Sequence, residues 1–169
     1  MRGHAVLLVV DVQKGFVTPA SAHVVAPIEA LQARFERVVF TAFENPDPSP
    51  FRDILAYDKL SPDDPDTELA LRPRDDALIL TRCAYGGGRS LIDSLRGMDA
   101  ETVYLCGIAT EACVLKTALD LFEAGITPLL LADLCASDKD RRYHDMALEI
   151  LSKAIGPHNL RHSGTVFET

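Results

Sequence analysis

Short runs of apolar, largely β-branched residues recur along the chain, each closed by a polar or charged residue and separated from the next by room for a helix. The first, residues 5–10 (AVLLVV), runs directly into Asp11. A run that is apolar at every position, rather than at alternate ones, is the pattern of a strand buried on both faces of a parallel sheet. Similar runs follow at 38–42 (VVFTA), 77–81 (ALILT), 102–106 (TVYLC), 127–131 (TPLLL) and, more weakly, 164–167 (GTVF), which predicts six strands. Helical spacing is expected between them over 27–36, 90–96 and 111–124, with a final helix over 138–155 stopped by Gly156 and Pro157. In the third of these Val114, Leu115, Ala118, Leu119, Leu121 and Phe122 form one apolar stripe, and Gly125 supplies a left-handed cap.

Strands alternating with helices imply right-handed crossovers and a sheet covered on both faces. The expectation is a three-layer α/β/α, Rossmann-like fold with a six-stranded, mostly parallel sheet. At 169 residues and 47% hydrophobic content the chain suits a single domain spanning 1–169. The one compositional break is 44–73, rich in Pro and Asp (ENPDPSP, SPDDPD), which cannot be a continuous helix and reads as an excursion with a short helix near 51–57.

The same composition excludes several functions. A formal charge of -8, from 25 acidic and 17 basic residues, opposes the basic face that a nucleic acid needs. No stretch approaches the roughly 20 apolar residues that cross a bilayer, and the first residues lack the pattern of a secretion signal, so no membrane contact and a cytoplasmic location are expected. Cys83, Cys106, Cys113 and Cys135 form no CxxC pair, and the five histidines show no HxH or HExxH spacing, so neither a metal nor another cofactor is predicted. The glycines at 86–88 lack the spacing and lysine of a phosphate loop and read as a turn at a pocket edge.

In an open parallel sheet, ligands bind beyond the carboxyl ends of the strands, where strand order reverses. The first strand ends at Asp11, the third at Arg82, and the fourth at Gly107, followed six residues later by Cys113. Each has an ordinary reading alone: a loop-capping acid, a surface cation, a small buried hydrophobe. Their joint position argues for chemistry. Thr110 is placed to cap the following helix, with Cys113 in its first turn, where the helix dipole and a nearby guanidinium would lower the thiol's pKa. Cys106 and Cys135 read as core, and Cys83 as a possible pocket residue.

Three segments then resemble the isochorismatase-like hydrolases, which include nicotinamidases, N-carbamoylsarcosine amidase and isochorismatase. GIATEACVLKTALDLFEAGI (107–126) is similar to that family's nucleophile segment, DVQKGF (11–16) to its opening D-x-Q-x-x-F, and LTRCAYGGG (80–88) to its middle segment. The resemblance covers nearly the whole chain and implies a triad of Asp, Lys and Cys, falling here on Asp11, Arg82 and Cys113. It implies that the Asp takes the thiol proton, the Cys attacks an amide carbonyl, and water releases the acyl-enzyme. It also implies a cis bond between Ile108 and Ala109, with the amides of Ala109 and Cys113 forming an oxyanion hole, and assembly into a dimer or tetramer.

Two departures stand out. Arg82 replaces the family's Lys, and a guanidinium offers fixed charge without giving up its proton. The loop FENPDPSPF (43–51) lacks the histidine of the nicotinamidase metal cluster, which disfavours that substrate and favours the metal-free members. By position, Gln13, Phe16, Phe43, Asn45, Tyr85 and Ile108 are candidates for the walls of a small-molecule pocket. The leading expectation is hydrolysis of a C–N bond in a small amide, carbamoyl or ureido compound through a Cys113 thioester. Alternatives are vinyl ether hydrolysis of the isochorismatase type, with Asp11 as acid and no thiol required, and a catalytically impaired protein that binds a ligand or partner.

Overall fold

The computed structural model describes residues 5–166. Six strands, β1 (Ala5–Val10), β2 (Arg37–Phe43), β3 (Leu78–Arg82), β4 (Thr102–Ile108), β5 (Thr127–Ala136) and β6 (Leu160–Arg161), pair in the order β3-β2-β1-β4-β5-β6, parallel throughout. Helices α1 (Val25–Leu31), α2 (Pro50–Asp53), α3 (Gly88–Gly97), α4 (Leu115–Glu123), α5 (Arg141–Ile155) and α6 (Ser163–Val166) connect or follow them. Among the described residues, no helix is long and apolar enough to cross a membrane.

β1 is the central strand because it can be. Val6, Leu7, Leu8, Val9 and Val10 are wholly buried, each worth about 1.5–3 kcal/mol in removal from water. Strand order reverses between β1 and β4, so the crevice expected at a reversal opens just past Val10 and Ile108. The two strands approach closely there. A Cβ on Gly107 would lie 2.0 Å from the Val10 carbonyl oxygen, and its φ of +130° is one only glycine adopts freely.

The expected α/β/α fold is present, with local differences. β5 runs on to Ala136, so Cys135 lies inside a strand, buried as core. The sixth strand is Leu160–Arg161, and residues 164–166 of the run expected at 164–167 are helical. The Ser163 amide and hydroxyl both donate to the Asp133 carboxylate, at 2.7 and 2.5 Å, and this pins the following residues into the short helix α6. Phe167 lies outside the described residues. The helix expected over 27–36 begins at Val25 and tightens to a 3-10 turn at Gln32–Arg34, and the one expected near 51–57 is the single turn of α2, capped by the Ser49 hydroxyl. The excursion carries a small apolar centre of its own, Phe43, Phe51 and Leu60, with Phe16 and Tyr57 packed against it.

Candidate active site

Asp11 follows the last residue of β1 and is completely buried. Its φ of +49° is left-handed, a region that Asp tolerates better than most side chains and that turns the chain sharply out of the strand. One carboxylate oxygen accepts a 2.7 Å hydrogen bond from the hydroxyl of Thr41, the residue paired with Val10 on β2. The other accepts from Arg82 in a buried ion pair.

Arg82 closes β3, which β2 separates from β1, so its side chain must span about two strand spacings, roughly 10 Å, to reach Asp11. A long side chain with several donors suits that task. One terminal nitrogen holds Asp11, and the other donates to the carbonyls of Ala84 and, at 3.3 Å, Gly86, fixing the turn after β3. Nε is buried with no hydrogen-bond partner. The guanidinium thus ties the turn to the carboxylate and keeps one donor uncommitted.

Cys113 completes the group, 7% exposed against 8% for Arg82, with its thiol close enough for the charges of both Asp11 and Arg82 to act on it. After β4 the Ile108–Ala109 peptide is cis. The chain then forms one wide π-helical turn, Thr110–Val114, before tightening into α4. Such turns recur at functional sites because they displace one side chain from the regular helical rows.

Two expectations about this turn fail. Thr110 is not the cap: that position is Ala109, in extended conformation, and the Thr110 hydroxyl pairs with His144 Nδ1 at 2.8 Å instead. The thiol's pKa is raised, not lowered. Burial pushes it up first and the Asp11 charge adds to this, while Arg82 opposes both. Asp11 is itself raised by burial, against the pull of Arg82 and Thr41. The thiol is thus neutral at rest, beside the Asp11–Arg82 ion pair. Shifting the thiol proton to Asp11 would leave a thiolate beside the guanidinium, so the net charge of the trio is the same before and after.

The predicted wall residues divide. Phe16, Phe43 and Tyr85 belong to one ridge of rings completed by Phe51, with centroid separations of 6.2, 4.8 and 4.9 Å along the order Phe16, Phe43, Phe51, Tyr85. Tyr85 lines both cavities described below, whereas Phe16 and Phe43 line neither, and Gln13, Asn45 and Ile108 are wholly buried. Gln13 is fully buried, donating to the carbonyls of Phe43 (2.9 Å) and Thr67 (2.8 Å) and accepting from the Phe43 amide (2.8 Å). Asn45 is equally spent on Tyr57, Lys59 and Ser49 within the excursion, and Ile108 lies in the main core.

Two cavities adjoin the trio without being lined by it. One, about 630 Å³, lies between the 84–88 turn and the start of α4, with Tyr85, Gly86, Glu111 and Ala112 on its walls. The other, about 370 Å³ and mainly apolar, is bounded by Phe51, Ile54, Leu55, Cys83 and Tyr85. The exposed Cys83 is therefore a wall residue of the apolar cavity. Sequence reasoning missed Phe51, Tyr57 and Glu111. Tyr57, half-buried and close enough to feel Cys113, is pushed up to about 12 mainly by burial. Glu111 accepts a 2.6 Å hydrogen bond from Ser137, which anchors the 110–114 turn to the end of β5. Nothing local in the sequence singled out Glu111 or Tyr57.

Comparison with known proteins agrees with this architecture. Residues 5–158 match the isochorismatase domain family. The phenazine biosynthesis protein PhzD1 of Pseudomonas aeruginosa is 29% identical over 160 residues, covering 86% of this chain and 77% of that protein. Among solved structures, an isochorismatase-like hydrolase from Alkaliphilus metalliredigens superposes with a TM-score of 0.85 at 20% identity, covering 96% of each chain. N-carbamoylsarcosine amidase from Thermoplasma acidophilum does so at 0.80 and 23% identity, covering 97% of this chain and 99% of the other. With the family match spanning nearly its whole length, the chain belongs to the isochorismatase-like hydrolase family.

Proposed function

We propose that the protein hydrolyses a C–N bond in a small amide, carbamoyl or ureido compound, with Cys113 as nucleophile and Asp11 as general base. The observation that carries this reading is that a wholly buried carboxylate is ion-paired with the guanidinium and acts on the charge of the neighbouring buried thiol. Burial raises the basicity of Asp11, which suits it to take the thiol proton as sulfur attacks the carbonyl carbon. The tetrahedral oxyanion is stabilised by the amides of Ala109 and Cys113. Asp11 then protonates the leaving nitrogen as the C–N bond breaks, producing a thioester. A water molecule gives its proton to Asp11, adds to the thioester carbonyl and expels sulfur, which recovers the proton from Asp11. Arg82 keeps its own protons throughout and acts by charge and hydrogen bonding alone.

The test is turnover of a panel of small amides, carbamoyl and ureido compounds, read as amine or ammonia release. Cys113→Ala should lose on the order of a thousandfold or more in kcat. The raised pKa of Asp11 also suits an acid, which favours a second reading, thiol-independent hydrolysis of a vinyl ether. Activity on vinyl ethers that survives Cys113→Ala would select that reading and overturn the first.

A further inference from the structure

Three of the chain's five histidines meet at one cavity that has no part in the proposed chemistry. About 560 Å³ in volume, it opens beside the last residues of β5, with His23, Arg141, His144, His162 and Asp133 on its walls. They come from separate stretches of chain: the turn before α1, the first turn of α5, the residue after β6, and β5. In a protein of formal charge -8, a gathering of one permanent and three titratable cations against one lining carboxylate is a local reversal of sign. That carboxylate is already engaged. Both oxygens of Asp133 accept from Ser163, and one lies 3.5 Å from His162 Nδ1. Arg141, 3.6 Å from Asp145, forms only a loose and largely exposed pair.

The charges on α5 also run the wrong way round. Its first turn holds Arg141 and His144 and no acidic residue, although the helix dipole disfavours cations at that end. The helix terminus itself is spent, since Asp140 accepts from the Arg142 amide through its carboxylate and from the Tyr143 amide through its carbonyl. Basic side chains held there against the dipole become favourable once an anion lodges among them. The rings also have a nitrogen to offer. His144 Nδ1 is paired with the Thr110 hydroxyl at 2.8 Å and the Gly164 amide donates to His162 Nδ1 at 3.2 Å, which leaves Nε2 of each for a ligand. Among the described residues, no three His, Cys, Asp or Glu side chains are grouped as a metal ion would require.

We propose that this cavity binds a small oxyanion, phosphate or carboxylate, held by Arg141 and the three histidines and joined through His144 to the 110–114 turn. Arg141 supplies a permanent charge and a planar fork of donors. The histidines add charge as pH falls, so the site strengthens with acid. For His144, burial lowers the pKa, Asp145 opposes this, and Arg141 and His23 add to it. Glu111, the acid on the 110–114 turn, is engaged by Ser137. A bound anion favours the protonated rings, and binding therefore takes up protons. The inference does not rest on the role proposed for Cys113.

Nuclear magnetic resonance of the full chain, isotopically labelled at histidine, tests it with two probes. Sulfate is the tetrahedral oxyanion, with a charge that stays constant across the range, and acetate is the carboxylate. At about pH 6 at least one of them should move the ring signals of His23, His144 and His162 along a saturable curve, with Kd at or below about 1 mM. His158, outside the cavity, should stay still. The tighter probe identifies the ligand's class. At about pH 8 the affinity should fall about fivefold or more. Arg141→Gln should weaken binding about tenfold and His23→Gln about threefold, each with an unchanged circular dichroism spectrum. The proposal is overturned if neither probe moves those signals beyond the effect of sodium chloride at equal ionic strength. It is equally overturned if affinity is the same at both pH values or survives Arg141→Gln.

Discussion

Replacing Arg82 by Met tests how the site is held together. The substitution keeps an extended apolar stem but removes the charge facing Asp11 and the donors to Ala84 and Gly86. Breaking a buried ion pair by deleting one partner costs about 3–5 kcal/mol, because the other charge is left uncompensated. In a domain of this size one kcal/mol moves Tm by about 2–4 °C, so a fall of roughly 6–20 °C is expected. The loss should depend on pH. Asp11 is already raised from its ordinary 3.8 by burial, and without Arg82 it rises further. A carboxyl whose folded pKa lies above its unfolded one retains extra protons in the native state. Stability is then fully present below the unfolded value and lost as pH climbs through the folded one. Urea unfolding at about pH 4.5 and about pH 8 should therefore show a much smaller deficit at the lower pH. Arg82→Lys, which keeps a charge, should lose less at both. An equal deficit at the two pH values, or one under about 1 kcal/mol, would refute the reasoning that Asp11 is held ionised by this guanidinium.

Asp11→Asn should divide thiol acidity from turnover. Removing the neighbouring negative charge lowers the pKa of Cys113, so iodoacetamide should modify that thiol faster than in the native protein, while hydrolysis collapses for want of a base. Slower alkylation would contradict the assignment. In the native protein, peptide mapping should find the exposed Cys83 alkylated well before the buried Cys113, and labelling of Cys113 should rise only as pH passes the ordinary cysteine range. Gln13→Ala should cost about 2–4 kcal/mol in chemical denaturation, since it strands the buried Phe43 amide and two carbonyls. Because those bonds fix Phe43 in the ring ridge, it should also raise KM more than it lowers kcat.

Much of this was legible in the sequence because the strongest signals are local. AVLLVV, buried at five of six positions, could only be an inner parallel strand, and its final turn at Asp11 marked the carboxyl end where chemistry collects. The order of Asp11, Arg82 and Cys113 along the chain fell on those strand ends for the same reason. What could not be read were side-chain commitments across long sequence separations. Gln13 and Asn45 looked like pocket residues until their backbone partners were visible, and Thr110 carried a cap signal that His144, 34 positions away, displaces. The direction of the Cys113 shift was misjudged because a helix terminus can be counted from sequence, whereas full burial beside a carboxylate cannot. The 164–167 run was overruled by Asp133, whose carboxylate captures Ser163.

The central claim is that Cys113 forms a covalent bond with the substrate while Asp11 carries its proton. Rapid-quench intact mass spectrometry with a slowly hydrolysed amide or carbamoyl compound tests it directly. A transient mass increase equal to the acyl or carbamoyl group is expected, mapped to the peptide holding Cys113, decaying at the rate of product release and absent in Cys113→Ala. Steady turnover with no adduct on that peptide, unchanged when the thiol is removed, would contradict it.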